Sequence, residues 1–291
     1  MPAYPCQSQS NLAAVPRWTE RIMMGKRILE VIDLAKRYDD ATQALGNVSF
    51  YVEEGEFVGI MGPSGSGKST LLNCISTIDR PTSGRVVIAG KDTGTLRAKE
   101  LARFRREELG FVFQDANLLD SLTVRENIAL ALTIKHEPAA EIPSRVANYA
   151  ARLGISATLD KYPYEISGGQ RQRAAAARAI IGRPHLVLAD EPTGALDSKS
   201  ARDLLETFSF MNSMGATLLM VTHDPQAASW CNRIIFIKDG ALAGQLTRGN
   251  LDRKMFFNVI MEATSRLTAE SDNAEAASGS LFPSNASGET E

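Results

Sequence analysis

The sequence predicts an α/β fold built on a mainly parallel sheet, with a helical subdomain inserted into it. Three observations carry this. Short apolar runs at 57–61, 110–113, 186–189, 217–222 and 234–238 have the length and content of buried strands. Helical segments alternate with several of them: 68–78 stops before Pro81, 170–181 stops at Gly182, and 201–211 stops before Gly215. Strand–loop–helix alternation of this kind points to parallel pairing. Residues 116–165 hold no convincing strand and are expected to form the inserted helical part, about 116–175 with the next helix start.

The first strand pattern begins at Arg27-Ile-Leu-Glu-Val-Ile-Asp, after a Pro-, Ser- and Gln-rich stretch over 1–24 that is expected to be a flexible extension. Met23 and Met24 are candidate starts of translation. The ordered domain is expected over 25–263. Beyond it, residues 264–291 are rich in Ser, Ala, Glu and Asn and are expected to be a disordered tail. No internal repeat is present, so this α/β unit is expected once per chain.

With 291 residues, 44% hydrophobic and 23% charged, the chain can bury a full core. A formal net charge of −2 gives no global basic field, so nucleic acid is not an expected partner. The densest basic stretch, 97–106, is broken by Glu100 and followed by Glu107 and Glu108, the pattern of a solvated helix face. Cys6, Cys74 and Cys231 are widely spaced without a CxxC pair, which suits a reducing compartment and argues against disulfides or zinc. No run approaches the eighteen or so apolar residues of a membrane span, and the longest near the N-terminus is Leu12-Ala-Ala-Val15. Membrane contact is therefore expected only through a partner.

The chemistry concentrates in three segments. Gly62-Pro63-Ser64-Gly65-Ser66-Gly67-Lys68-Ser69, followed by Thr70, fits the GxxxxGK[ST] phosphate loop and lies between a strand and a helix. Glycines let successive N–H groups converge on phosphate oxygens, and the helix start adds a positive dipole. Lys68 is expected to reach the β- and γ-phosphates, and the Ser69 hydroxyl to ligate Mg²⁺. Leu186-Val-Leu-Ala-Asp190-Glu191 ends a strand in two acids at the edge where open α/β sheets bind ligands. Asp190 is the candidate Mg²⁺ ligand and Glu191 the candidate base for the attacking water; read alone, the pair is equally a turn with a helix cap. Ile166-Ser167-Gly168-Gly169-Gln170 opens an Ala-rich helix with Ser167 as N-cap, a second anion-binding helix start in one chain.

Together these segments make the chain resemble the ATP-binding cassette superfamily over about 28–263. The resemblance implies a P-loop NTPase core with an antiparallel β subdomain and an α-helical subdomain, with ATP and Mg²⁺ as ligands. It implies that Ser167, Gly168, Gly169 and Gln170 close over the γ-phosphate held by a second copy, which accounts for two anion sites. It further implies roles for Tyr38 in stacking on adenine and for Gln114 in contacting Mg²⁺ and the attacking water. His223 corresponds to the switch histidine on the γ-phosphate, and Gly194-Ala-Leu-Asp197 to the loop coupling two active sites. Taken singly, His223 also fits an ordinary strand-end histidine. Ile166 departs from the usual Leu, a conservative change.

Within the superfamily, Leu72-Asn-Cys-Ile-Ser-Thr-Ile-Asp79, Phe104-Arg-Arg106, Gly110-Phe-Val-Phe-Gln-Asp115, Leu118-Leu-Asp120, Lys161-Tyr-Pro-Tyr-Glu165 and Ala189-Asp-Glu-Pro-Thr-Gly-Ala-Leu-Asp197 resemble the macrolide-export and lipoprotein-release group. They are most similar to ATPases of bacitracin-type peptide resistance. That resemblance implies a homodimer on a separate integral membrane permease, peripheral on the inner face of the cell membrane. The related cell-division and lipoprotein-release types, which couple ATP to a permease without exporting peptide, remain the alternative.

Overall fold

The computed structural model describes residues 25–38 and 43–278, with side chains described up to residue 267. The expected extension over 1–24 and the last part of the expected tail, 279–291, lie outside the described residues. The chain runs β1 (Arg27–Arg37), β2 (Gln43–Glu53), β3 (Phe57–Met61), α1 (Lys68–Ile75), β4 (Ser83–Ile88), β5 (Lys91–Asp92), α2 (Ala98–Glu108) and β6 (Leu109–Val112). It continues with α3 (Val124–Thr133), α4 (Ile142–Arg152), α5 (Gly168–Ile181), β7 (Leu186–Asp190), α6 (Ser198–Ser213), β8 (Leu218–Val221), α7 (Pro225–Ala228), β9 (Arg233–Lys238), β10 (Ala241–Thr247) and α8 (Arg253–Ser278).

Two sheets result. A six-stranded sheet has the order β10-β9-β3-β8-β7-β6, parallel except for β10. A four-stranded sheet, β2-β1-β4-β5, is antiparallel throughout. The central strands are apolar on both faces, and their side chains alternate between two cores. Phe57 and Met61 of β3 point into a core shared with α3 to α6, whereas Val58 and Ile60 point into one shared with the antiparallel sheet and α1. The same alternation repeats at Val187 against Leu188 and at Met220 against Leu219. The larger sheet is thus a septum, with the antiparallel sheet on one side and the helical part on the other.

Local chemistry sets the helix ends. Thr123 and Glu126 form a capping box at the start of α3, Ser167 and Gln170 form one at α5, and Asp197 caps α6 through Lys199 N–H and Ser200 N–H, both at 3.0 Å. Asn127, fully buried, donates to the carbonyls of Leu119, Leu122 and Thr123 and accepts from Leu119 N–H, so one amide organises the loop ahead of α3. The sheets are tied by Arg233, whose guanidinium forks onto Glu56 at 2.6 and 2.8 Å and donates to the Tyr51 carbonyl at 2.7 Å.

The tail expected from residue 264 departs from the structure. Helix α8 continues through that point to Ser278, with Phe256 and Ile260 buried and Ala263 and Leu267 packed on the same core. Spacings of three and four residues keep these side chains on one stripe, a signal that the Ser/Ala/Glu-rich composition obscured.

Gly110 marks the tightest strand–helix contact of the helical part: a β-carbon there would lie 2.4 Å from the Ala179 carbonyl oxygen of α5. We expect Gly110→Ala to lower unfolding free energy by about 1–3 kcal/mol, read from the urea midpoint, because backbone rather than a flexible side chain must move.

Candidate active site

The C-terminal edge of the parallel sheet gathers the predicted residues. Strand β3 ends at Met61 and the chain turns through 62–67 into α1, whose N-cap Gly67 has φ +98°. A β-carbon at Gly62 would lie 2.0 Å from the Ile237 carbonyl oxygen, and one at Gly67 would lie 2.6 Å from that of Ala44. Only glycine lets the loop sit this close to the surrounding backbone. A Gly240 N–H bond to the Ser66 carbonyl at 3.1 Å fastens it further. Lys68 is buried and folds its ammonium back onto the carbonyls of Gly62 and Pro63, at 2.9 and 2.7 Å. Burial pulls its pKa below the usual lysine value, opposed by the charges of Glu191 and Asp190.

Above this loop lies a cavity of about 920 Å³, lined by residues 62–65 and 67–70, by Glu191 and His223, and at its other end by Ala44, Phe236, Lys238, Thr264 and Leu267. Asp190 ends β7 and Glu191 follows with φ +43°, a left-handed conformation uncommon for a residue with a side chain. Bonds from Glu191 N–H to Val221 O and from Gly194 N–H to Glu191 O, each 3.0 Å, hold that turn. His223 Nδ1 lies 3.0 Å from Glu191 Oε1, so the imidazole orients the carboxylate. Burial pushes the Asp190 carboxyl pKa up, Glu191 adds to the rise, and Lys68 opposes it.

One oxygen of Asp190, Oδ1, is buried without a hydrogen-bond partner. An orphaned carboxylate oxygen beside a phosphate loop and the exposed Ser69 hydroxyl is the donor set of a hard divalent cation that keeps several waters. These residues fit Mg²⁺. Among the described residues, no cluster of three or more His, Cys, Asp and Glu side chains could hold a metal ion.

The model of the family described as ABC transporter matches residues 45–194, from the start of β2 through both acids and into the following loop. The chain belongs to the ABC transporter family. It is an ATP-binding, ATP-hydrolysing cassette of that family. It is 53% identical to the ABC transporter ATP-binding protein YxdL of Bacillus subtilis (strain 168), over 82% of this chain and 94% of that one. It is 52% identical to the bacitracin export ATP-binding protein BceA of Halalkalibacterium halodurans, over 81% of this chain and 94% of that one. Among solved structures it is similar to a dimeric ATP-binding cassette in a post-hydrolysis state bound to ADP and Pi, with 39% identity, a TM-score of 0.69 and coverage of 76% and 98%.

Of the residues the ABC resemblance implies, 62–65, 67–70, Glu191 and His223 line the cavity and Asp190 lies close enough for its charge to act on Lys68, whereas four groups do not line it. Residues 167–170 lie at the start of α5, where Ser167 is exposed and Gly169 buried, outside the cavity lining. Ser167 Oγ accepts from Gln170 N–H at 3.3 Å and Gln170 Oε1 accepts from Ser167 N–H at 2.9 Å, so the side chains cap their own helix. Gln114 is exposed beyond β6, and the N-cap Asp197 has its carboxyl pKa lowered by the Ser200 hydrogen bonds. Tyr38 does not line the cavity: it is 57% exposed, with the Lys36 ammonium 4.9 Å from its ring centre.

The sequence reading missed Gln172, whose amide donates to the Phe113 carbonyl at 2.9 Å and also to that of Gln114, anchoring the Gln114 loop to α5. Its signal is a buried polar side chain two residues into the Ala-rich helix after Gln170. The reading also missed Phe236, Lys238, Thr264 and Leu267, which carry no motif.

The raised Asp190 pKa fixes a sign. A carboxyl whose folded value lies above its unfolded one costs stability once ionised, and the cost grows as pH rises from the ordinary 3.8 through the raised value. Asp190→Asn is therefore expected to raise the melting temperature at neutral pH by about 1–3 °C, with the gain shrinking at acid pH. In the same variant, Mg²⁺-supported hydrolysis should fall by about 10–100-fold or more.

Proposed function

We propose that two copies of this chain enclose two ATP molecules with Mg²⁺ and drive a separate membrane permease that exports or removes antimicrobial peptides. The observation that carries the two-copy reading is the position of residues 167–170. They form a helix start capped by the exposed Ser167, with Gly168 and Gln170 half-buried and Gly169 buried, and none of them lines the cavity of their own chain. A β-carbon at Gly168 would meet only the Leu196 methyl at 3.4 Å and Arg171 Nη2 at 3.7 Å, so the fold of this chain does not require glycine there. Gly169 differs, since its β-carbon would lie 2.8 Å from Ser200. A close approach by another molecule's phosphate explains why residue 168 has no side chain.

In the proposed cycle the phosphate loop and Lys68 bind the triphosphate, and Ser69, Asp190 and Gln114 hold the cation. When bound, Mg²⁺ neutralises charge on the phosphate oxygens. Glu191, oriented by His223, takes the proton of the attacking water on the far side of the γ-phosphate. Tyr38 is assigned to adenine and Asp197 to the contact between copies. The export assignment rests on similarity to the bacitracin export protein. No helix among the described residues is long and apolar enough to cross a membrane, in keeping with a separate permease and a peripheral location.

Glu191→Gln should keep ATP binding, lose turnover by about 10²–10⁴-fold and accumulate an ATP-bound dimer in light scattering; hydrolysis at the native rate would remove Glu191 from the mechanism. Gly168→Ala should leave the urea midpoint of the isolated chain within about 0.5 kcal/mol of native while ATP-dependent dimerisation falls at least tenfold. Growth under peptide antibiotics after deletion, compared with cell-division phenotype, separates peptide export from the division-type alternative.

A further inference from the structure

The nucleotide cavity has two ends, and the sheet order tells them apart. Strand β3 carries the phosphate loop; β8 and β7, which lead to His223 and Glu191, lie on one side of it, and β9 lies on the other. The hydrolytic groups therefore define the γ-phosphate end. On the opposite side the wall is made by Ala44, at the start of β2 in the first hairpin, by Phe236 and Lys238 of β9, and by Thr264 and Leu267 of α8. Arg37 pairs with Gln43 in that hairpin, so Tyr38 follows one strand end and Ala44 sits at the other.

Helix α8 reaches this wall by geometry alone. Its stripe Phe256, Ile260, Thr264, Leu267 is fully buried at the first two positions and emerges into the cavity at the last two. The Lys238 ammonium donates to the Leu267 carbonyl at 2.7 Å, fastening the helix to the strand that ends beneath the phosphate loop. Leu267 also packs on the core that contains Phe236, so its position is set from two sides.

We infer that Leu267, with Thr264 beside it, forms the wall of the nucleoside end of the site, giving the C-terminal helix a direct part in holding ATP. This rests on the proposed reading of the phosphate loop. An apolar side chain on the wall that also holds Ala44 of that hairpin offers the base a surface that does not depend on the phosphates. The assignment makes Leu267 a binding residue for ATP and ADP alike and leaves phosphate recognition to residues 62–70.

The test is calorimetric titration of the full chain with MgATP, MgADP and magnesium tripolyphosphate, which carries the phosphates without a nucleoside. Leu267→Ala should weaken both nucleotides about fivefold and leave tripolyphosphate unchanged, with Leu267→Met restoring native affinity. Unchanged nucleotide affinity overturns the inference, and so does an equal loss for tripolyphosphate, which marks a general structural effect. Lys68→Ala is the separate control: if it bound all three as the native chain does, the phosphate-loop reading itself would fail, whatever Leu267 does.

Discussion

Two backbone carbonyls, those of Ile237 and Ala44, occupy the space where β-carbons of residues 62 and 67 would project. That close approach is the constraint on which the site depends. It seats the phosphate loop against the end of β9 on one side and the start of β2 on the other, and the Gly46 N–H bond to Gly240 O at 2.8 Å joins β2 to the turn that follows β9. The loop is therefore held by rigid backbone rather than by mobile side chains. A cradle held in this way loses little entropy when an anion enters, so its N–H groups are already placed for phosphate.

The electrostatics above the loop suit a ligand that brings a cation with its anion. Asp190, Glu191 and Lys68 share a small volume, yet the lysine bonds to carbonyls and one oxygen of Asp190 has no partner. Burial and mutual repulsion hold the Asp190 carboxyl toward its neutral form. A divalent cation reverses that balance, because its charge favours the carboxylate that burial disfavours. The strained backbone at Glu191 belongs to the same arrangement. Local strain of this kind costs on the order of 1 kcal/mol and persists because the turn bonds and His223 fix the side chain.

Much of this was legible in the sequence because the central strands carry the strongest pattern available. The run 57–61 coincides with β3, and the runs near 110, 186, 217 and 234 fall within one residue of β6 to β9 at each end. Fully buried parallel strands read as unbroken apolar runs, and the phosphate loop and paired acids lie at their ends. The short and solvent-facing strands were harder. β4 opens with Ser83-Gly-Arg, β5 has only two residues, and β10 is largely exposed, so none shows a clean apolar pattern. The nucleoside end was illegible for a different reason. Ala44, Phe236 and the pair Thr264 and Leu267 come from three distant stretches of the chain and are ordinary in chemistry, and only the fold brings them to one wall. Composition also misled at residue 264, where a helix stripe continues beneath a polar exterior.

Gln172 gives helix α5 a second attachment. The first turn of this helix begins at Gly168, while one turn later the Gln172 amide grips the carbonyls of Phe113 and Gln114. An α-helix is stiff over a distance of one turn, so these two points translate and tilt as a unit. In a paired assembly the same short lever would touch a neighbour's fuel at its tip and this chain's own water-handling loop near its base. Engagement at one chamber would then set the geometry of the other by mechanical linkage through five residues.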